Sequence, residues 1–200
     1  MKHRIHQITT KTGDGGDTAL NAETRVRKST TVIELLGLLD ELNARIGWVK
    51  CALLAEDTVL TASFNRIQNE LFHLGGEVSF PEYSGVSKDM VLALEIEIRD
   101  LADKLGPLRD FIIPGADEIS ARCHLARTAC RSCERIWVKW QDEVQDREES
   151  FGQIYLNRLS DWLFAVARML GQRVNCEENM WDKNPSISHS AQQISGPKSS

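Results

Sequence analysis

Three clusters in this 200-residue chain have the residue types and spacing for chemistry. The first is Thr9-Thr10-Lys11-Thr12-Gly13-Asp14-Gly15-Gly16-Asp17-Thr18. Glycines let backbone N–H groups converge on an anion, and the hydroxyls and Lys11 add donors. Walker A spacing is absent, and counting from Asp14 puts Arg25 where an EF-hand needs Glu. A flexible polar arm is the competing reading. The second cluster is Arg127, Arg131, Glu134 and Arg135. On a helix the last three stand about 40°, −20° and 80° from Arg127, so all four share one face. Three guanidiniums and a carboxylate on one stripe make a polyphosphate clamp with an internal orienting acid. A solvated face with i,i+4 pairing would have the same pattern. The third cluster is Asn157, Arg158 and Asp161, polar positions in an apolar segment. Asn157 could hydrogen-bond a ligand and Asp161 could orient an arginine of a neighbouring helix; ordinary helix surface is the alternative.

Other signals carry less. Cys130-x-x-Cys133 resembles a redox or zinc pair, but both fall on the apolar seam of their helix and read as small buried hydrophobes. His124 falls about 60° from Arg127, on the arginine side. Glu70-x-x-His73 is half of a ferritin-type di-iron motif, which is needed twice and does not recur. No Ser-His-Asp or Cys-His constellation is justified by spacing.

The elements that must position these residues are helices. Val32, Leu35, Leu39, Leu42, Ile46 and Val49 step by three and four, with Thr31 and Glu34 spaced as a capping box. A second seam is Leu60, Phe64, Ile67, Leu71, Leu74 and Val78; a third is Val91, Leu94, Ile98, Leu101 and Leu105, with Ser87 as N-cap and Gly106-Pro107 as stop. A fourth is Ala126, Cys130, Cys133, Trp137 and Trp140; a fifth is Leu156, Leu159, Leu163, Val166 and Leu170. No strand alternation is convincing. The expected fold is all-α: a five-helix bundle of near-antiparallel helices crossing at about 20°. The loop before the fourth helix carries Phe111-Ile112-Ile113 between Pro107 and Pro114. Residues 141–149, with five acids and one arginine, read as a solvated linker. Three units follow: an N-terminal segment 1–28, a bundle domain 29–175, and a tail 176–200 expected to be disordered, mostly Ser, Gln, Pro and Gly from Asn184 onward.

Composition narrows the function classes. A chain 42% hydrophobic and 26% charged is neither fibrous nor wholly disordered. The net charge of −5 argues against nucleic acid as a partner. No apolar run could span a membrane, and the first residues show no secretory apolar core. Five cysteines with no need for a staple fit a reducing cytoplasm.

Taken in order, the motifs resemble those of the PduO-type ATP:cob(I)alamin adenosyltransferases over about residues 8–175. They are Thr10-Lys11-Thr12-Gly13-Asp14-x-Gly16, Lys28, Glu34-Leu35-x-Gly37-x-x-Asp40-Glu41-Leu42-Asn43, Phe111-x-x-Pro114-Gly115, His124-x-Ala126-Arg127-Thr128-x-x-Arg131-x-x-Glu134-Arg135, and Tyr155-Leu156-Asn157-Arg158-Leu159-Ser160-Asp161. The resemblance implies a five-helix bundle assembling as a homotrimer, with active sites between subunits. It implies transfer of the 5′-deoxyadenosyl group of ATP to the cobalt of reduced cobalamin, giving adenosylcobalamin and triphosphate.

Carried over residue by residue, it assigns ATP contacts to Thr10, Lys11, Thr12, Gly13, Thr18, Ala19 and Lys28 of the N-terminal segment. From the bundle it assigns Arg131, Ser132, Cys133, Glu134, Arg135 and Asn157. Arg127 matches an arginine paired across the subunit interface with an aspartate, here Asp40. Phe111 matches the aromatic that covers the lower face of the corrin ring and displaces its nitrogen ligand. Arg131, Arg127, Asp40 and Phe111 are thus the expected catalytic set. Mg²⁺ is expected mainly on the ATP phosphates, with Glu134 the protein candidate. A cobalamin reductase and an adenosylcobalamin-dependent client enzyme are the implied partners. Two positions depart from the family pattern: Ser132 replaces a second arginine, and Ala116 replaces the last glycine of a Pro-Gly-Gly. The rival reading is a non-catalytic trimeric corrinoid carrier or adaptor, which has no need for a triphosphate grip.

Overall fold

The computed structural model describes residues 9, 11–108, 110–144, 151–173 and 178–183. Two short strands, β1 (Asp17–Ala19) and β2 (Arg25–Arg27), precede five helices: α1 (Thr31–Lys50), α2 (Thr58–Ser79), α3 (Lys88–Ala102), α4 (Glu118–Val144) and α5 (Phe151–Arg173). The five helices agree with the sequence seams. The strands were not expected, because three residues are too few to display a two-residue period. They pair antiparallel with Thr18 opposite Val26. The Asn21 side-chain oxygen closes their turn, accepting from the N–H groups of Glu23 and Thr24 at 3.0 and 2.9 Å. Its amide nitrogen donates to the Ser79 carbonyl at 3.0 Å, tying the hairpin to the last turn of α2.

Each helix buries one apolar stripe. In α1 this is Leu35, Leu39, Leu42, Ile46 and Val49. α1 packs on α2 and α4, and α5 packs on α4 and α3, so the core is continuous through all five. The closest approach of α4 and α5 requires Gly152, where an added Cβ would lie 2.4 Å from the Trp137 ring.

The capping box at Thr31 does not form. Thr30 is the N-cap, and the Thr31 hydroxyl donates to Glu143 Oε1 at 2.7 Å. α4 therefore continues into the stretch expected to be a linker: Gln141 is buried and helix persists to Val144. The remainder, 145–149, lies outside the described residues. Ser87 Oγ caps α3 at Met90 N as expected, 3.4 Å away. That helix closes at Ala102, and Leu105 turns off through a bond to the Leu101 carbonyl.

The two halves of the Glu70–His73 motif face different partners. Buried Glu70 accepts from Arg66 at 2.9 Å and from the Tyr155 hydroxyl at 2.5 Å, whereas His73 Nδ1 meets Tyr83 OH. Among the described residues no group of three potential ligands could hold a metal. Cys123, Cys130 and Cys133 are free and buried. Burial pushes the Cys123 and Cys133 thiols up to about 12 and Cys130 well above its usual range, so all three stay protonated as apolar filler.

Candidate functional site

The N-terminal hairpin folds the glycine-bearing segment into a tight turn. Lys11 takes φ 58° and Gly16 φ 88°, left-handed values that glycine adopts freely and lysine rarely does. Gly16 N donates to Gly13 O at 3.2 Å, and Lys28 N donates to Gly16 O at 2.9 Å. A Cβ on Gly13 would lie 3.2 Å from Lys28 Nζ, so the ammonium rests against bare backbone. Thr18 and Ala19 lie on β1 beside this turn. Two cations that the sequence reading missed brace it. Arg25 Nη2 donates to Thr12 O at 2.8 Å, and Arg27 Nη1 donates to Gly15 O at 3.1 Å and to Asp17 Oδ1 at 3.2 Å. Their alternate positions, two residues apart on a strand, were the available signal. Thr10 lies outside the described residues.

The bundle carries a second set of candidate contacts, on α4 and α5. α4 presents Arg131 and Arg135 to solvent, with Arg135 Nη2 donating to Ser132 Oγ at 3.0 Å. Neither arginine has an ion pair among the described residues. Cys133 points into the core, so only its backbone could face a ligand. α5 brings Asn157 to the stripe: its Nδ2 donates to Glu134 Oε1 at 2.9 Å. Asp161 lies 4.0 Å from Arg158 on its own helix and also feels the charge of Arg131 on neighbouring α4. Burial pushes the Asp161 carboxyl up, while the charges of Arg158 and Arg131 pull it down.

Arg127 stands apart from the exposed stripe. It is half-buried over the Phe164 ring, 5.9 Å from the centroid, and its Nε donates to His124 Nδ1 at 3.3 Å. Burial and the Arg131 charge lower its pKa. Burial and Arg127 also lower that of His124, keeping the imidazole neutral. Asp40 lies exposed on α1. Among the described residues, no ion pair joins it to Arg127.

The third component is the loop between α3 and α4. Phe111 is 75% exposed at its tip. The tail expected from residue 176 is ordered where it meets this loop. Ile113 N donates to Asn179 O and Trp181 N to Phe111 O, both at 2.7 Å, with an antiparallel bridge between Ile112 and Met180. The rings of Trp181 and Phe111 stand 6.1 Å apart, and Lys183 pairs with Asp110 at 2.8 Å. That pairing holds the Asp110 carboxyl below its usual range. Arg168 on α5 clamps the base of the arrangement through Glu178 and the Gly106 carbonyl. Backbone pairing of this kind is blind to side-chain composition, and the composition argument for the tail concerned residues from Asn184 onward. Residues 184–200 lie outside the described residues.

These parts can bind a polyanion between exposed cations and can present an aromatic to a flat apolar ligand. Among the described residues they hold no general base beside a nucleophile; the nearby imidazole, His124, is buried and bonded to Arg127.

Residues 8–170 match the family model described as cobalamin adenosyltransferase. A cobalamin adenosyltransferase of Cupriavidus metallidurans is 37% identical over 186 residues, which span 92% of this chain and 98% of that one. The corrinoid adenosyltransferase PduO of Citrobacter freundii is 38% identical over 80% of this chain, a match that takes in 49% of that longer relative. The solved structure of a variant PduO-type ATP:corrinoid adenosyltransferase from Lactobacillus reuteri, complexed with cobalamin and ATP, is similar with a TM-score of 0.81 and 27% identity, covering 89% of this chain and 100% of that one. By sequence over most of its length, and by the bundle that carries the arginine stripe and the aromatic loop, the chain belongs to the cobalamin adenosyltransferase family.

Proposed function

We propose that this protein transfers the 5′-deoxyadenosyl group of ATP to the cobalt of reduced cobalamin, yielding adenosylcobalamin and triphosphate. One observation carries the reading: Arg131 and Arg135 are exposed and without ion pairs among the described residues, beside a Glu134 already engaged by Asn157. On α4 the carboxylate one turn from Arg131 is Glu134, which Asn157 holds, and Arg135 has none within a turn. The face leaves both arginines for a ligand. The carrier reading has no such observation in its favour.

The nucleophile belongs to the substrate. The electron pair of cobalt(I) forms the cobalt–carbon bond at C5′, the C5′–O bond breaks, and triphosphate departs with the two electrons of that C–O bond. No protein base is required. The chain aligns the two substrates and stabilises the charge growing on the leaving group. Lys11 and Lys28 of the hairpin face that charge from one side, and Arg131 and Arg135 of α4 from the other. Thr10, Thr12, Gly13, Thr18 and Ala19 complete the nucleotide contacts, with Ser132 setting Arg135 and Cys133 contributing backbone. Mg²⁺ would be held mainly by the phosphates and neutralise them, with Glu134 as the candidate protein carboxylate. Phe111 covers the lower face of the corrin and excludes water and nitrogen ligands from cobalt, which eases reduction from cobalt(II).

Asp40 and Arg127 do not pair within the chain, which supports their meeting across an interface in a homotrimer. Residues 1–28 form the nucleotide segment and 29–175 the bundle. The setting is the cytoplasm, where a cobalamin reductase supplies the electron and a client enzyme takes the product. Incubation with ATP, Mg²⁺ and reduced cobalamin, followed by corrin absorbance and a triphosphate assay, tests the reaction. An unchanged spectrum with no triphosphate would refute it.

A further inference from the structure

Arg158 has no part in the nucleotide contacts assigned above, yet it stands where three helices meet behind them. Its Nη1 donates to Asn157 Oδ1 at 2.7 Å, and its Nε donates to Glu95 Oε1 on α3 at 2.9 Å. Asn157 Nδ2 donates to Glu134 Oε1 on α4. A continuous line of hydrogen bonds therefore runs from α3 through α5 to α4.

The direction of this line matters. A carboxamide has an accepting end and a donating end of nearly the same shape, so a half-turn exchanges them. A guanidinium has donors only, so it selects the oxygen of Asn157 and leaves the NH₂ group to face Glu134. Turned the other way, the amide would present an oxygen to a carboxylate. Glu95 fixes the guanidinium through Nε, and its planar fork serves both partners at once. A lysine ammonium lacks that fork and cannot hold both in the same geometry.

We propose that Arg158, anchored by Glu95, is a positioning residue that sets the amide of Asn157 and, through it, the Glu134 carboxylate for nucleotide binding. The proposal rests on the placement of Asn157 and Glu134 at the nucleotide. The competing view is that Arg158–Glu95 is a partly exposed staple between α3 and α5, of little consequence for ligand.

The two differ in a double-mutant cycle. Steady-state KM for ATP, kcat and thermal melting are measured for Arg158→Lys, Glu95→Gln, Asn157→Ala and the Arg158→Lys/Asn157→Ala double variant. Arg158→Lys is expected to raise KM for ATP about fivefold, the worth of one net hydrogen bond. Loss of uniform binding leaves kcat within about twofold. Glu95→Gln moves KM the same way by less. In the Asn157→Ala background, Arg158→Lys adds nothing further to KM, because the group through which it acts is gone. An unchanged KM in Arg158→Lys overturns the proposal, as does a KM effect that simply adds in the double variant. If Asn157→Ala alone leaves KM for ATP unaltered, the placement of Asn157 fails first and the proposal falls with it.

Discussion

The two walls of the candidate nucleotide site are held by different means. On the α4–α5 wall, Glu134 and Asn157 are fixed by side-chain bonds between helices whose opposite faces are packed into the core. On the hairpin wall, Gly13 and Lys28 are fixed by backbone turns, with an exposed Arg27–Asp17 pair as brace. Exposed pairs of that kind contribute little. If both belong to one nucleotide site, the bundle side is expected to be set before ligand arrives and the hairpin side to adjust to it.

Substitutions on either wall sharpen or break this contrast. The largest effect is expected from Arg131→Ala, which removes a cation facing the leaving group: about a hundredfold loss of kcat, with helix content by circular dichroism unchanged, because Arg131 is exposed. Gly152→Ala drives a Cβ into the Trp137 ring and should cost about 1–3 kcal/mol in denaturant unfolding. Phe111→Ala is expected to impair turnover from cob(II)alamin with a reductase more than turnover from chemically prepared cob(I)alamin; equal losses would argue against ligand displacement. The same glycine-to-alanine change on the hairpin wall, Gly13→Ala, meets only the mobile end of Lys28 and the Asp17 carbonyl. It should leave the melting temperature in place and raise KM for ATP about threefold; a large drop in melting temperature would erase the distinction between the walls.

The smallest effect is one of pH. The pKa of buried His124 is depressed, by burial first and then by Arg127, so the unfolded chain takes up this proton before the folded one does. The sign is then fixed: its contribution is full above the ordinary value of about 6.5 and is lost as pH falls through the depressed folded value. His124→Gln should flatten that part of the stability–pH curve. An unchanged slope in urea titrations below pH of about 6.5 would count against a buried neutral imidazole.

Much of the bundle was legible because each helix repeats its burial over many turns. Leu35, Leu39, Leu42 and Ile46 announce their face long before a partner is known. The shared face of Arg131 and Arg135 was legible for the same reason, since one helix fixes the angle between them, whereas Arg127, expected on that face, is half-buried against Phe164. What stayed hidden depends on a second segment. β1 and β2 span three residues each, and what holds the hairpin to the bundle is a side chain in its turn. Residues 178–183 are tied down largely by backbone bonds to the Phe111 loop. Thr31 spends its hydroxyl on Glu143, on the far end of another helix, and not on its own first turn. Arg158 was visible as a polar interruption, but helical spacing cannot name Glu95, a residue on another helix.

The Asn21–Ser79 bond has a consequence beyond holding the hairpin in place. Ser79 offers one of the last carbonyls of α2, which no later turn of that helix can satisfy. The amide of Asn21 thus finishes a helix and anchors the hairpin with the same hydrogen bond. Fraying at the end of α2 and lift-off of the hairpin are accordingly expected to be coupled, and hydrogen exchange at the amides of residues 77–80 should keep time with the hairpin's opening.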